Sequence, residues 1–158
     1  MKALDPLLAE HPFLKDISPA HIRTIAGCAR NERFEAGQML FREGEEANQF
    51  FIVRHGNVAI EMGAPPRGVT TVHTVRDGEI VGWSWLVPPY RWRCSAKARE
   101  LTRVIALDGR CLRQKCEADH DLGYELLRSF ADILARRLDA TRLQLLDVYA
   151  PEPAVRRL

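Results

Sequence analysis

The length, composition and charge of the chain exclude several classes of protein. It has 158 residues, of which 46% are hydrophobic and 28% are charged, enough for one domain with a sizeable core. Basic and acidic side chains number 23 and 21, and the resulting charge of +2 argues against a nucleic-acid binder that relies on bulk positive charge. No apolar run approaches the roughly 20 residues of a membrane-spanning helix, and polar residues interrupt the N-terminus where a secretion signal is apolar. We therefore expect a cytoplasmic protein with no membrane partner.

Four cysteines are scattered through the sequence, at positions 28, 94, 111 and 116. A chain of this length does not need disulfides for stability, so four reduced thiols are the expected state. Cys111 and Cys116 are separated by four residues, but no second cysteine pair or nearby histidine pair completes a zinc site. We expect no metal site, and a redox role for this pair stays an alternative.

Residues 1–30 are predicted to form short helices. Ser18 is a suitable N-cap, Pro19 fits the first helical position, and Ile22 and Ile25 form part of an apolar stripe. Gly27 lies near the expected end of that helix. The chain therefore begins with a helical segment.

Residues 31–107 have the pattern of short β-strands separated by turn residues. Residues 57–62 alternate, with Val58, Ile60 and Met62 on one side of the predicted strand. The apolar run of residues 49–53 (QFFIV) predicts a strand that is covered on both faces. Many short strands with tight turns predict an antiparallel β-roll of the jelly-roll type, because closure removes exposed edges.

Residues 108–149 are predicted to be helical, and residues 151–158 form a tail. Asp108 can cap a short helix, and Asp119 or Asp121 can cap a long one that runs to about Tyr149. One apolar stripe on the long helix has the period of about 3.5 residues of a coiled coil; it comprises Leu127, Ala131, Leu134, Leu138, Thr141, Leu145 and Val148. We expect this stripe to form a homodimer interface, and the alternative is that it covers the β-roll. A second stripe, of Leu126, Phe130 and Ile133, is expected to pack on the β-roll.

Three stretches of the sequence resemble the cyclic nucleotide-binding domain of the Crp/Fnr superfamily. They are EAGQMLFREGEEANQFFIVRHGNVAI (35–60), RDGEIVGWSWLVPPYRWRCSA (76–96) and LARRLDATRLQLLD (134–147). The first has the glycine spacing of the family, the second falls at its phosphate-binding cassette, and the third is similar to its dimerisation helix. The resemblance implies a stand-alone, non-enzymatic domain for ligand sensing and signal transduction, comprising residues 1–150.

The cassette departs from the family pattern at two positions. The resemblance aligns Gly82 with the family's glycine and Arg93 with its phosphate-binding arginine, and Arg91 is the alternative arginine. Trp83 stands where the family has a glutamate that accepts the ribose hydroxyl, and Cys94 stands at the position of a small hydroxyl residue. The complete set of candidate ligand-binding residues is Gly82, Trp83, Ser84, Trp85, Arg91, Arg93, Cys94 and Ser95.

Trp83 makes conventional cAMP binding doubtful. An indole has one N–H donor, no acceptor comparable to a carboxylate, and a much larger volume. A lost partner for a buried polar group costs about 1–3 kcal/mol, or about one to two decades of affinity. Two interpretations follow: a rebuilt site for another anionic or nucleotide-like ligand, or a pocket that its own aromatic residues fill.

The sequence does not contain the motifs that indicate other activities. His55 and His73 are isolated, so the clustered histidines of a cupin metalloenzyme are missing, and no P-loop or nucleophile elbow is present. We expect no catalysis and no cofactor. Only PEPAVRRL follows Ala150, which is too short for a helix-turn-helix, so we expect no direct DNA binding. Regulation would then act through an unidentified protein partner or through the dimer, and the Arg136-Arg137 pair is expected to be solvated.

Overall fold

Short helices precede the strands, as the sequence predicts. The structure is a computed structural model that describes residues 4–63 and 66–151. Helix α1 is Asp5–Ala9, a 3₁₀ turn is Pro12–Leu14, and helix α2 is Pro19–Ala26. Ser18 is at the N-cap position of α2 and Pro19 is at its start, but the Ser18 hydroxyl makes no capping bond. It donates instead to the Glu125 carboxylate, at 3.4 Å, which ties α2 to the last helix of the chain.

The strands form two antiparallel sheets. In the described residues they are β1 Ala29–Phe34, β2 Met39–Phe41, β3 Gln49–His55, β4 Val58–Gly63, β5 Val69–Val75, β6 Ile80–Val81, β7 Ser95–Ala98 and β8 Thr102–Asp108. One sheet has the order β1-β8-β3-β6 and the other the order β2-β7-β4-β5. This arrangement confirms the predicted β-roll.

Strand β3 separates two hydrophobic cores. Phe50 and Ile52 face the helices, whereas Phe51 and Val53 face the interior of the roll between the sheets. Alternate side chains of a strand point to opposite faces, so a run buried throughout must be covered on both. The prediction for residues 49–53 is therefore confirmed.

The last of the three apolar residues predicted to share one side of strand β4 does not reach the core. Val58 and Ile60 contact the interior of the roll, but Met62 is 48% exposed. The pairing of β4 with β5 shifts register between Ile60 and Glu61. The extra residue at this shift is Val72 of β5, and β4 keeps a regular pairing with β7 from Val58 to Glu61. Met62 lies beyond that pairing, which the alternation of residues 57–62 does not indicate.

Two helices follow the roll: α3, Gly109–Ala118, and α4, His120–Tyr149. Asp108 accepts a hydrogen bond from the Cys111 N–H at 3.0 Å and caps α3. Asp119, rather than Asp121, caps α4. No helix within the part of the chain that the structure describes is long and apolar enough to cross a membrane.

The two predicted stripes of α4 have different environments. Leu126 and Phe130 are buried and Ile133 packs on the same core, which confirms the stripe expected to contact the roll. Most of the other stripe is exposed, and Leu138 is 51% exposed. The alternative that this stripe covers the β-roll is therefore wrong for its exposed members.

The expectation of four reduced thiols is wrong. Cys28 and Cys111 form a disulfide between residues 83 positions apart, whereas Cys94 and Cys116 are thiols. The fold places the start of β1 beside the start of α3, where the Asp108 N–H donates to the Cys28 carbonyl at 2.9 Å. Because disulfides persist mainly in oxidising compartments, this bond does not support the expected cytoplasmic location, which stays a prediction.

Candidate functional site

The cassette begins at Gly82, directly after β6, and ends where β7 begins. Gly82 has a φ of +94°, a conformation that disfavours residues with a Cβ. A Cβ at this position would lie 2.7 Å from Cη2 of Trp92. The 3₁₀ turn Ser84–Leu86 follows. The backbone of the turn and the Trp92 ring therefore require glycine at position 82.

Two of the cassette tryptophans belong to the hydrophobic cores. Trp85 is fully buried and stacks on Phe50, with 4.9 Å between ring centroids. Trp92 stacks on Phe41 at 3.6 Å, inside the roll. Trp85 is one of the candidate ligand residues, but its ring is enclosed on the helical side and offers no surface to a ligand.

Arg113 of α3 holds the cassette from outside the roll. Its guanidinium donates to the Trp85 carbonyl at 2.6 Å and to the Asn48 side chain at 3.1 Å. It also lies 4.2 Å from the centroid of the Tyr90 ring, a cation–π distance. The sequence analysis missed Arg113, because nothing near position 113 indicates that α3 reaches residues 85 and 90.

Trp83 and Arg93 contact each other. Trp83 is partly buried against the helical core, and the exposed Arg93 guanidinium lies 5.6 Å from its ring centroid. Among residues 4–63 and 66–151, no carboxylate is within 4.0 Å of Arg93. Arg91 donates instead to the Gly44 carbonyl at 3.2 Å. Arg93 is therefore the arginine that adjoins Trp83.

The last two candidate residues have different surroundings. Cys94 packs against the interior of the roll, and burial, followed by the Glu43 carboxylate, raises the pKa of its thiol. The thiol is therefore protonated and weakly nucleophilic near neutral pH. Ser95 Oγ accepts a hydrogen bond from the Glu43 N–H at 2.9 Å, so it joins two backbone segments.

Arg137 of α4 reaches the strand that leads into the cassette. Its guanidinium donates to the Ile80 carbonyl, which corrects the expectation that Arg137 is solvated. Burial lowers the pKa of Arg137, and the Glu79 carboxylate offsets part of this effect. Burial, and then Arg137, lower the pKa of the nearby His73, whose Nε2 is buried without a hydrogen-bond partner. The sequence around the Arg136-Arg137 pair does not indicate this contact.

The described residues contain no group of three His, Cys, Asp or Glu side chains that could hold a metal ion. What the site presents is an arginine over an indole, beside a glycine turn. A guanidinium interacts favourably with anions, whereas Ser84 and Trp85 of the turn are buried.

Comparison with known families gives the class of the protein. The model of the family described as cyclic nucleotide-binding domain matches residues 31–119, more than half of the chain. The chain belongs to the cyclic nucleotide-binding domain family. The predicted resemblance is thereby confirmed.

Individual relatives agree with this assignment. The CRP-like cAMP-activated global transcriptional regulator of Mycobacterium tuberculosis is 25% identical over 145 residues, which are 92% of this chain and 63% of the regulator. The chain thus spans less than two thirds of the length of that relative. A cyclic nucleotide-binding domain from Methylobacillus flagellatus shares the fold, with a TM-score of 0.80 at 19% identity over 97% of this chain and 89% of that one.

A further structural neighbour is the regulatory subunit of a cAMP-independent protein kinase A from Trypanosoma brucei. It has a TM-score of 0.66 at 20% identity, over 86% of this chain and 46% of that one. At this identity the likeness shows the fold alone.

Proposed function

We propose that the chain is a non-enzymatic regulatory domain whose cassette binds a small anionic ligand in a mode different from conventional cAMP binding. The observation that carries the proposal is Arg93, which is exposed, lies over Trp83 and has no carboxylate within 4.0 Å among the described residues. The guanidinium donors of Arg93 are therefore not occupied by an acidic side chain within the described part of the chain. An arginine that adjoins an aromatic ring and a glycine turn can instead bind an anion with a flat body.

The mode differs because Trp83 supplies no carboxylate for a ribose. The family of this chain includes regulators described as cAMP-activated. The fold also occurs in a kinase regulatory subunit described as cAMP-independent. The fold therefore does not by itself imply regulation by cAMP.

Contacts of α4 support a physical connection between the cassette and the exposed stripe on that helix. Arg137 of α4 donates to the Ile80 carbonyl, two positions before Gly82. The exposed stripe lies on the same helix as Arg137. A ligand that changes the Gly82 turn would favour one position of α4 over another if it binds the two with different affinities. We include in the proposal a homodimer formed by the stripe, an unidentified protein partner and no direct DNA contact.

A second candidate function is a ligand-free module that dimerises and binds partners. It is favoured by the packing of Trp92, which fills the roll interior against Phe41 and the Gly82 turn. Under this alternative the tryptophans replace the ligand permanently.

Titration of ligands with matched arginine variants separates the two functions. The probes are cAMP, cGMP, the nucleoside monophosphates and inorganic anions, followed by tryptophan fluorescence and by melting temperature. The expected result is a saturable response to at least one probe, weakened about tenfold in Arg93→Gln and less than about twofold in Arg91→Gln. A folded protein that responds to none of the probes would support the ligand-free alternative.

Replacement of Trp83 tests whether this residue, which stands where the family has a glutamate, prevents conventional cAMP binding. Trp83→Glu restores a carboxylate acceptor and removes ring volume, so we expect cAMP affinity to rise by about one to two decades. Calorimetric titration of both proteins measures the change, and Trp83→Gln is the control that removes the ring without adding the charge. Tight cAMP binding by the unmodified protein, unchanged in Trp83→Glu, would contradict the prediction.

A further inference from the structure

A groove next to the roll is bounded by three segments that are distant in sequence. Its walls are residues 12–16, the turn Gly78–Ile80 before β6, and the face of α4 from Arg128 to Arg137. Its volume is about 470 Å³, within the range of small-molecule sites. Cassette residues 82–95 do not line it, so the groove is separate from the candidate ligand site described above.

Arg137 contributes a positive charge to the groove and forms no ion pair with a described residue. Among the described residues, no carboxylate is within 4.0 Å of its guanidinium, and its hydrogen bond goes to the neutral Ile80 carbonyl. A guanidinium has several further N–H donors. The Glu79 carboxylate offsets only part of the cost of burying this cation, and an anion in the groove would offset more of it.

Two more basic residues in the groove form no ion pair within the described part of the chain. Lys15 and Arg128 form no ion pair with any described residue, whereas Arg136 is paired with Asp132 at 3.0 Å. Of the other acidic residues in the lining, Glu79 accepts a hydrogen bond from the Arg76 N–H at 2.7 Å. The lining has four basic and three acidic side chains in all, so its charge is balanced by an anion with a single acidic group.

The same groove has an apolar wall. Phe13 and Ile80 are buried in the protein core, and Ile133 packs against that core from α4; all three line the groove. A fully hydrated ion such as inorganic phosphate would gain nothing from these side chains. Phe13 and Ile80 are only 8% and 3% exposed, so a ligand with an apolar body would remove mainly the partly exposed Ile133 from water.

We propose that this groove is a binding site for a small amphipathic organic anion, with its acidic group on Arg137 and its apolar body against Phe13, Ile80 and Ile133. Lys15 and Arg128 add long-range attraction at the rim. The site does not depend on the cassette, and its occupant would contact α4 directly. Its chemical class is an aryl or alkyl phosphate or carboxylate.

Three probes test whether binding requires both an acidic group and an apolar body. They are 2-naphthyl phosphate, 2-naphthol without the charge, and inorganic phosphate without the apolar body, each titrated by calorimetry into the full chain. We expect 2-naphthyl phosphate to bind saturably and at least about tenfold more tightly than either of the others. Equal affinity for 2-naphthol, or no binding of 2-naphthyl phosphate, would overturn the proposal.

Arginine variants on adjacent positions of α4 locate the probe. Arg137→Gln is expected to weaken 2-naphthyl phosphate binding about tenfold, and Arg136→Gln, whose charge is already paired, by less than about twofold. The exposed Lys15→Glu is expected to weaken it several-fold without disturbing the core, which keeps the test decisive if Arg137→Gln is unstable. Equal losses in the two α4 variants together with no loss in Lys15→Glu would overturn the proposal.

A cassette variant distinguishes this site from the proposed function. Arg93→Gln should leave 2-naphthyl phosphate affinity within about twofold, even if it abolishes the response to cassette ligands. Loss of 2-naphthyl phosphate binding in Arg93→Gln would place the probe in the cassette and overturn the groove assignment while supporting the proposed function.

Discussion

At the scale of single residues, the cassette is shaped by close contacts of a few aromatic side chains with backbone. Gly82 has a positive φ and adjoins the Trp92 ring, which itself lies on Phe41. Trp92 therefore shapes the turn as well as filling the roll. The proposed ligand site keeps Arg93 and the partly buried Trp83, and the enclosed Trp85 contributes packing.

Gly82→Ala should destabilise the fold through both strain and a clash. The φ of +94° is unfavourable for alanine, and the added Cβ would lie 2.7 Å from the Trp92 ring, so we expect a loss of about 1–3 kcal/mol in the free energy of unfolding. Gly44→Ala is a matched control, because Gly44 has a φ of +88° and no atom within 4 Å of the added Cβ. Denaturant unfolding of both variants measures the difference, and equal losses would show that the Trp92 contact is unimportant.

At the scale of elements, polar and covalent links hold the helices together. The His21 ring of α2 lies 2.7 Å from the Glu125 carboxylate of α4 and 3.1 Å from the Asp119 carboxylate at its N-cap. The Cys28–Cys111 disulfide connects the segment after α2 to α3, and Arg113 connects α3 to the cassette. Movement of α3 or α4 would therefore be transmitted to both the cassette and the N-terminal helices.

The contribution of His21 to stability should depend on pH. The hydrogen bond to Glu125 raises the pKa of His21 above its ordinary value of 6.5, with burial opposing and Asp119 adding to the effect. The folded state thus binds the proton more tightly, so this contribution is complete below pH 6.5 and is lost as pH rises through the folded pKa. Melting temperatures of wild type and His21→Gln from about pH 5.5 to about pH 8.5 measure it.

We expect the difference between these two proteins to shrink as pH rises across that range. His11 and His73 have pKa values that burial lowers, so their contributions change with pH in the opposite direction. They are present in both proteins and cancel in the comparison. A difference that is constant with pH would contradict the assigned role of His21.

At the scale of the whole molecule, α4 extends well beyond the core with apolar side chains exposed. Its last part carries leucines on both faces, including Leu138 of the stripe and Leu143, which is 63% exposed. Exposed apolar surface of this kind marks interaction sites. The regular spacing of the stripe favours a second copy of the chain as its partner.

Dimerisation through the stripe can be tested by placing a charge on either face of α4. Leu138→Asp introduces a carboxylate into the proposed seam and should convert the dimer into an 18.0 kDa monomer in analytical ultracentrifugation. Leu143→Asp is the control, because position 143 lies away from the stripe on a helix with about 3.6 residues per turn. A monomeric wild-type protein at high concentration would contradict the prediction.

The sequence alone determined the class of fold and the outline of the cassette. Glycines at turns, the doubly buried run of residues 49–53 and the caps Asp108 and Asp119 are local signals, and each depends only on backbone preference or on side-chain period. The substitution of Trp83 for an acidic residue is likewise visible without coordinates. These features are readable because their physical cause lies within a few positions of the residue concerned.

Only the tertiary structure decided the contacts between distant segments. The Cys28–Cys111 disulfide, the hydrogen bond from Arg137 to the Ile80 carbonyl and the contacts of Arg113 with the cassette join residues far apart in the chain. Whether an arginine on a helix is solvated or buried depends on what packs against that helix. That packing is fixed when the sheets close and α4 docks on them, because only then are the partners of each side chain defined.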